Sequence, residues 1–176
     1  MSGHNKWSKI KHKKGAEDAR RSKIFSRLSK LITAESKTAN GDINSPALAT
    51  VIESAKKENM PKDTIERAIK KGTDSDTLAM EAVAYETYGP GGIAIIIDGL
   101  TDSKNRTAAE VRHTLSKMGY ELAAPGAASW AFSKQNGEWV ANSTTPVSED
   151  DGEKLGRLID AIEELEDIQG VYTNAE

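Results

Sequence analysis

One stretch, YGPGGIAIII from Tyr88 to Ile97, organises the predicted fold of this chain. Its residues 89–92 are glycine and proline, which favour a tight turn. The apolar run from Ile93 to Ile97 is typical of a central strand that is buried on both faces. A strand over residues 82–88 is predicted before the turn. The glycines do not predict a phosphate-binding loop, because no Gly-Lys-Ser/Thr ending follows them and the next element is a strand.

Two helices are predicted beyond this central strand. The first spans about residues 105–118, and its apolar stripe consists of Val111, Leu115 and Met118. The second begins after Ser148, which is followed three residues later by Asp151 in an approximate capping box. Its apolar residues recur with the helical period, and they are Leu155, Leu158, Ile159, Ile162 and Leu165.

Three further strands complete the predicted second domain. Ala128, Trp130 and Phe132 alternate along the chain, which predicts a strand with one buried face. Asn136-Gly137 predicts a type I′ hairpin turn into a strand over 138–141, and a last strand spans 168–173. From residue 93 onward the order of elements is that of a ferredoxin-like α/β sandwich, with the 82–88 strand as an addition and helices on one face.

The first part of the chain predicts three helices. The first runs from about Ala16 to Lys37, where Asn40-Gly41 breaks the pattern. The second follows Ser45-Pro46 and spans about 46–58, and the third follows Pro61 and closes with Gly72 as a left-handed residue after the helix. The fold class is therefore α+β, with a three-helix domain followed by the ferredoxin-like domain.

The charge of the chain changes sign between these domains. Residues 1–72 carry 17 basic and 8 acidic side chains, whereas residues 73–176 carry 7 basic and 19 acidic ones. We therefore predict a basic flexible arm over residues 1–14, the three-helix domain over 15–72, a linker over 73–80 and the α/β domain over 81–176. A net charge of -3 for the whole chain conceals a basic half that could meet a polyanion.

The candidate nucleic-acid-binding residues belong to the basic arm and the first helix. The first 37 residues hold 11 Lys and Arg but only 3 Asp and Glu. Trp7 could stack on an unpaired base, or alternatively it could pack locally on the helical domain. The alternative for the helix cations is a solvated helix face. The predicted contacts are His4, Lys6, Trp7, Lys9, Lys11, His12, Lys13, Lys14, Arg20, Arg21, Lys23, Arg27 and Lys30.

A secondary phosphate contact is predicted where the 105–118 helix begins. Lys104, Asn105 and Arg106 lie at a helix N-terminus, whose N–H groups favour anions. Plain capping of the helix by Asp102, Ser103 or Asn105 is an equally good interpretation of the same segment.

The remaining residues do not predict catalysis. The three histidines are too scattered for a metal site, the chain has no cysteine, and no serine lies in the context of a nucleophile. We predict no metal, no cofactor, no small-molecule substrate and no enzymatic activity. No apolar run is long enough to span a membrane and no secretory signal opens the chain, so we expect a cytoplasmic protein.

Several segments together resemble the YebC family, bacterial proteins related to a mitochondrial translational activator of cytochrome c oxidase. The resemblance covers nearly the whole chain in order. It is carried by residues 3–14, Lys23-Ile24-Phe25, residues 59–69, residues 88–92, Leu100-Thr101-Asp102, Asn105-Arg106-Thr107, residues 110–113, residues 158–165 and residues 171–176.

The resemblance implies a helical first domain, a ferredoxin-like second domain, no enzymatic activity and a role in gene expression. Family members are described both as DNA-binding transcriptional regulators and as translation factors that help ribosomes through difficult stretches such as consecutive prolines. They typically have about 240 residues, because a third, acidic α/β domain is inserted in the second one. In this chain, Lys134 leads through Asn136-Gly137 directly into the next strand, so a tight hairpin replaces that domain.

These observations lead to one main hypothesis and two alternatives. The main hypothesis is a ribosome-associated translation factor, expected to be a monomer, that contacts rRNA or tRNA through its basic arm and first helix. The first alternative is a transcriptional regulator that binds promoter DNA through the same cations. The second is a protein-interaction module that uses the acidic sheet domain.

Overall fold

A computed structural model describes residues 16–176, which divide between Glu81 and Ala82 into two compact units. We call residues 16–81 the helical unit and residues 82–176 the α/β unit. The helical unit contains α1 (Ala16–Thr38), α2 (Pro46–Lys57) and α3 (Lys62–Thr73), so the three predicted helices are present. Asn40 and Gly41, with φ of 50° and 79°, end α1 as the sequence predicts.

The core of the helical unit is formed by small and aliphatic side chains from all three helices and the turn between α2 and α3. Its buried members are Ile32, Leu48, Ala55, Met60, Ile65 and Ala68. Two buried hydroxyl groups of α1 also contact α3: Thr33 donates to the carbonyl of Ala68 at 3.2 Å and Ser36 to that of Ile69 at 2.7 Å. These bonds satisfy polar groups that the close packing of α1 and α3 removes from water.

Gly72 has a different role from the predicted one. It lies within α3 and is buried, and its backbone does not adopt the left-handed conformation of a residue that follows a helix. A Cβ atom at this position would lie 2.5 Å from the carbonyl oxygen of Thr33 and 2.6 Å from the Cβ of Ser36. The glycine therefore allows α1 and α3 to approach closely, and the helix ends at Thr73 instead.

The α/β unit is built on a four-stranded sheet whose strand order is β3-β1-β2-β6. The β3 strand pairs antiparallel with β1, and β6 pairs antiparallel with β2, while β4 and β5 form a separate antiparallel hairpin. Short 3₁₀ turns follow β1 and precede β4. The elements are β1 (Glu81–Tyr88), β2 (Ala94–Thr101), α4 (Lys104–Lys117), β3 (Leu122–Ala123), β4 (Phe132–Gln135), β5 (Glu138–Ala141), α5 (Glu149–Glu163) and β6 (Ile168–Thr173).

Each face of β2 is covered by a different layer. Ile93, Ile95 and Ile97 pack with α4, α5 and β6 in the larger core. Ala94 and Ile96 point to the other face, where they meet the hairpin and the turn before it in a smaller core. The fold class is thus confirmed as α+β, with N-terminal helices followed by an α/β domain, and both helices lie on one face of the sheet.

Two details of the predicted strand arrangement differ. The 82–88 strand, treated as an addition, lies inside the sheet between β3 and β2, and the hairpin does not join that sheet. The prediction of a strand through Ala128, Trp130 and Phe132 was wrong before Phe132, since Ser129–Ala131 form a 3₁₀ turn that leaves Trp130 exposed. Here backbone N–H groups that a strand would use in its ladder bind the Glu86 carboxylate instead.

Other local predictions are confirmed. Asn136 and Gly137 have φ of 51° and 86°, as a type I′ turn requires, and they join β4 to β5. The hydroxyl of Ser148 accepts a hydrogen bond from the Asp151 N–H at 3.2 Å and caps α5.

Candidate nucleic-acid interface

The basic residues of α1 lie along the first half of the helix. Arg20 and Arg21 are exposed, whereas Lys23, Arg27 and Lys30 are partly buried. The Nη2 atom of Arg27 is enclosed but has no hydrogen-bond partner within the part of the chain that the structure describes. Its guanidinium group therefore retains donor capacity that is not used there.

The basic residues of α1 and its most buried residues lie on different sides of the helix. At 100° per residue, Arg20, Lys23, Arg27 and Lys30 fall within about 80° of arc on one side of the helix. Ile32 and Ser36, which are buried against the rest of the helical unit, lie on the opposite side. Four of the five predicted helix contacts therefore share one side of α1, opposite Ile32 and Ser36, and Arg21 lies elsewhere on the helix.

The predicted contacts in the arm lie outside the residues that the structure describes. They are His4, Lys6, Trp7, Lys9, Lys11, His12, Lys13 and Lys14. Their role in binding stays a prediction.

The predicted secondary contact at the start of α4 is a capped helix end. The hydroxyl of Ser103 accepts a hydrogen bond from the Arg106 N–H at 3.4 Å, so the capping interpretation describes the local structure. The guanidinium group of Arg106 lies 2.8 Å from carboxylate oxygens of both Asp102 and Asp167. Bonding to Asp167 raises the pKa of Arg106 above its ordinary value. A phosphate contact by Lys104, Asn105 and Arg106 stays a prediction, and this pairing of Arg106 weighs against it.

Asp167 links three elements of the α/β unit through its buried carboxylate. Its Oδ2 atom accepts hydrogen bonds from the hydroxyl groups of Thr107 at 2.6 Å and Thr101 at 3.1 Å, in addition to the Arg106 contact. Thr101 ends β2, Thr107 lies in the first turn of α4, and Asp167 immediately precedes β6. Because these hydrogen bonds connect β2, α4 and the start of β6, the cluster stabilises the fold.

Sequence reasoning missed an exposed aromatic pair. Trp130 is 64% exposed and Tyr88 is 37% exposed, and the indole N–H of Trp130 donates to the Tyr88 hydroxyl at 2.8 Å. Alternation had assigned Trp130 to a strand, and Tyr88 lies 42 residues earlier in the sequence, so no local pattern joined the two residues.

Within residues 16–176, no group of three or more His, Cys, Asp or Glu side chains is placed to hold a metal ion. No helix in that range is both long and apolar enough to cross a membrane.

Nearly the whole chain matches the domains of one known protein family. Residues 5–75 match the TACO1/YebC protein N-terminal domain, and residues 80–137 and 134–175 match the TACO1/YebC second and third domain. The chain belongs to the TACO1/YebC family. The second match has two parts that overlap at residues 134–137, which are the end of β4 and the turn into β5 in this TACO1/YebC protein.

Similar proteins carry the name "probable transcriptional regulatory protein". One from Desulfatibacillum aliphaticivorans is 53% identical over 147 residues, which cover 82% of this chain and 60% of the relative. One from Desulfosudis oleivorans is 39% identical over 237 aligned positions, which cover 99% of this chain and 96% of the relative. Because 237 positions exceed the 176 residues of this TACO1/YebC chain, that relative has residues that this chain lacks.

A solved structure has the same fold. The conserved hypothetical protein Aq1575 from Aquifex aeolicus is 31% identical and superposes with a TM-score of 0.80, over 97% of this chain and 96% of that one. The chain spans about 60% of the length of the relative from Desulfatibacillum aliphaticivorans.

Proposed function

We propose that this protein is a nucleic-acid-binding regulator of gene expression that associates with ribosomes in the cytoplasm and contacts rRNA or tRNA. The observation that carries the proposal is the basic face of α1, on which Arg20, Lys23 and Arg27 lie opposite the packed side of the helix. Continuous with it in sequence is an arm with five lysines between residues 6 and 14. Lysine and arginine bind the phosphate backbone without reading the bases.

RNA is favoured over duplex DNA by the composition of α3. A short turn joins α2 to α3, as in a helix-turn-helix motif, in which the second helix would enter the major groove. The exposed side of α3 presents Asp63 and Glu66 among its cations, and Lys62 lies 3.5 Å from Glu66 in an ion pair. The helix contains no Asn or Gln to read base edges. These carboxylates lower the net charge of the helix from +4 to +2, and the Arg67 guanidinium is hydrogen-bonded to Asp63 and Thr64 of the same helix, so docking of α3 in the groove is weakened.

A transcriptional regulator that binds promoter DNA is the second candidate function. The names of the similar proteins favour it. It would use the same cations of the arm and α1, so it differs from the main proposal in the nucleic acid that is bound and not in the residues that bind.

The first experiment compares co-sedimentation with ribosomes and mobility shifts on duplex DNA at about 150 mM salt, where weak electrostatic binding is reduced. We expect association with ribosomes and weak DNA binding without sequence preference. If six cations meet phosphates, affinity should fall about a thousandfold between 50 and 200 mM salt. Tight, sequence-dependent binding of duplex DNA without ribosome association would overturn the proposal in favour of the second candidate.

Substitution then tests the surface. Replacing Lys6, Lys9, Lys11 and Lys13 by alanine should abolish binding. The thermal midpoint should stay nearly unchanged, because substitutions in an arm that the sequence predicts to be flexible usually change stability by less than about 0.5 kcal/mol. A control of similar charge replaces Lys57, Lys70 and Lys71, three exposed cations of α2 and α3. An equal loss of binding in the control would show that net charge, and not this surface, determines affinity.

A further inference from the structure

The loop that carries Trp130 is fixed by an internal carboxylate. Glu86, on β1, accepts hydrogen bonds from the backbone N–H groups of Gly126 at 2.8 Å, Ala128 at 2.7 Å and Ser129 at 2.8 Å. Three donors on one carboxylate hold the backbone of residues 126–129 against the sheet. Trp130 immediately follows the clamped segment, so its backbone position is defined.

The indole ring is also fixed in orientation. Its N–H donates to the hydroxyl of Tyr88, which in turn donates to the carbonyl of Ala127. This chain of bonds uses the polar atoms of both aromatic side chains within the protein. What the pair offers to a ligand is therefore ring surface, and Trp130 keeps 64% of its surface exposed.

The surroundings of the pair are small and uncharged. Residues 122–133 contain no Asp, Glu, Lys or Arg, and the neighbouring Ala124, Pro125 and Gly126 are exposed. Tyr88 and Trp130 are the large hydrophobic residues in the exposed class among residues 82–176. A protein interface of standard size buries about 800 Å² on each partner around a broad apolar centre. Two rings amid small side chains are instead suited to a single flat ligand group.

The acidic residues of the α/β unit are concentrated on the other side of the sheet. Residues 149–167 hold nine of the unit's carboxylates, on α5 and the turn after it, and α5 packs on the face formed by Ile93, Ile95 and Ile97. The turn before β4 packs on the opposite face with Ala94 and Ile96. Two carboxylates on that face are engaged, Glu86 by backbone N–H groups and Asp98 by the indole N–H of Trp139 at 3.0 Å. A polyanion can therefore approach Trp130 without meeting the acidic helix face.

We infer that Trp130 and Tyr88 form a platform on which an unpaired nucleobase of the bound RNA stacks. This inference rests on the proposed function, to which it adds a second contact made by the α/β unit. Stacking of a base on an aromatic ring tolerates any base, because every base has a π-face. The contact would thus add affinity without sequence specificity and, having no cation, without salt dependence.

The test measures the affinity of the full chain for an unstructured oligouridylate of about 40 nucleotides, several times the length of a typical single-strand site. Trp130→Ala should weaken binding by about 5- to 100-fold and leave the salt dependence unchanged. Trp130→Phe, which retains a ring, should lose less. The matched control is Leu78→Ala, since Leu78 is equally exposed at 64% and should have no effect.

An abasic oligonucleotide of the same length supplies the decisive comparison, since it retains the phosphates but lacks bases. The Trp130→Ala variant and the wild type should bind it equally. A thermal midpoint measured for each variant confirms that the proteins compared are folded. Equal binding of the base-bearing RNA by Trp130→Ala and wild type would overturn the inference while the proposed function stands.

Two other outcomes are also informative. If Trp130→Ala loses ribosome association but binds free RNA as the wild type does, the platform contacts a protein and the inference is wrong. If the wild type binds neither RNA at low salt, the proposed function itself fails. If the arm substitutions abolish RNA binding but Trp130→Ala does not weaken it, the platform inference is wrong and the proposed function stands.

Discussion

Replacing Glu86 by glutamine tests whether one carboxylate organises the loop before β4. Burial acts to raise the pKa of Glu86, but hydrogen bonds from the N–H groups of Gly126, Ala128 and Ser129 outweigh it and lower that pKa below its ordinary value. The ionised form is therefore the one that the fold binds. Glutamine has nearly the same shape but has one acceptor oxygen and no charge.

The size of the effect follows from the bonds that change. If the amide oxygen occupies the position of Oε2, the bonds from Ala128 and Ser129 remain but become neutral, and the amide NH₂ group faces the N–H of Gly126. Hydrogen bonds to charged groups contribute about 1.5–3 kcal/mol and neutral ones about 1 kcal/mol. Two bonds weakened by about 0.5–2 kcal/mol each and one lost bond of about 1.5–3 kcal/mol predict a destabilisation of about 2.5–7 kcal/mol. Gly126 is exposed, so water can replace part of the lost bond, and the lower end of this range is expected.

The assay is urea unfolding followed by tryptophan fluorescence in a Trp7→Phe background, where both remaining tryptophans belong to the α/β unit. Because the folded-state pKa of Glu86 is depressed, its contribution is complete above the unfolded value of about 4.3 and is lost as the pH falls through the folded value. The difference in unfolding free energy between wild type and Glu86→Gln should therefore be constant near neutral pH and shrink in acid. Glu138→Gln, at the exposed hairpin, is the control. A variant as stable as the wild type at pH 7, or a difference that grows in acid, would refute the reasoning.

Two further predictions concern packing. Gly72→Ala should gain about 1 kcal/mol of helix propensity but lose more, about 1–3 kcal/mol or above, because its Cβ would overlap the backbone carbonyl of Thr33. Gly156→Ala should instead raise the thermal midpoint, because its Cβ would meet no atom within 4 Å beyond its chain neighbours and the nearby backbone of α5 itself. Thr107→Val removes a buried donor to Asp167 and should cost about 1–3 kcal/mol in urea unfolding, whereas Thr107→Ser should retain most of that stability.

The elements that sequence alone predicted are those with a strong local cause. A period of 3.6 identified α4 within one residue of its observed ends. The same period and the Ser148 cap identified α5, and Asn136-Gly137 identified the hairpin because few residue pairs accept two positive φ angles. For α1 the helix was correct but its packed side was rotated. In the sequence, apolar residues at helical spacing, Ile24, Leu28 and Leu31, indicate the side of α1 that packs. Ile24 and Leu31 are only partly buried, whereas Thr33 and Ser36 are buried because their hydroxyl groups bond α3.

The predictions that were wrong depended on contacts between distant residues. Gly72 resembled a residue that ends a helix, but its role is set by Thr33 and Ser36, which precede it by more than 30 positions. The strand through Trp130 failed because Glu86, 40 or more residues earlier, binds the N–H groups of that segment. Local propensity cannot include such a partner, so the exposed aromatic pair was visible only once the chain was folded.

The hairpin between β4 and β5 explains how this chain completes its second unit where longer relatives carry additional residues. The face of β2 formed by Ala94 and Ile96 must be covered, since an open apolar face in water would destabilise the sheet. Phe132 at one end of the hairpin joins that core, Trp139 packs against it, and the Lys134 ammonium lies 4.9 Å from the centre of the Trp139 ring. The indole N–H of Trp139 also satisfies Asp98, the polar residue of β2 on the same face. A two-residue turn is therefore sufficient to close this core, and an insertion at that turn would extend outward without being needed to cover β2.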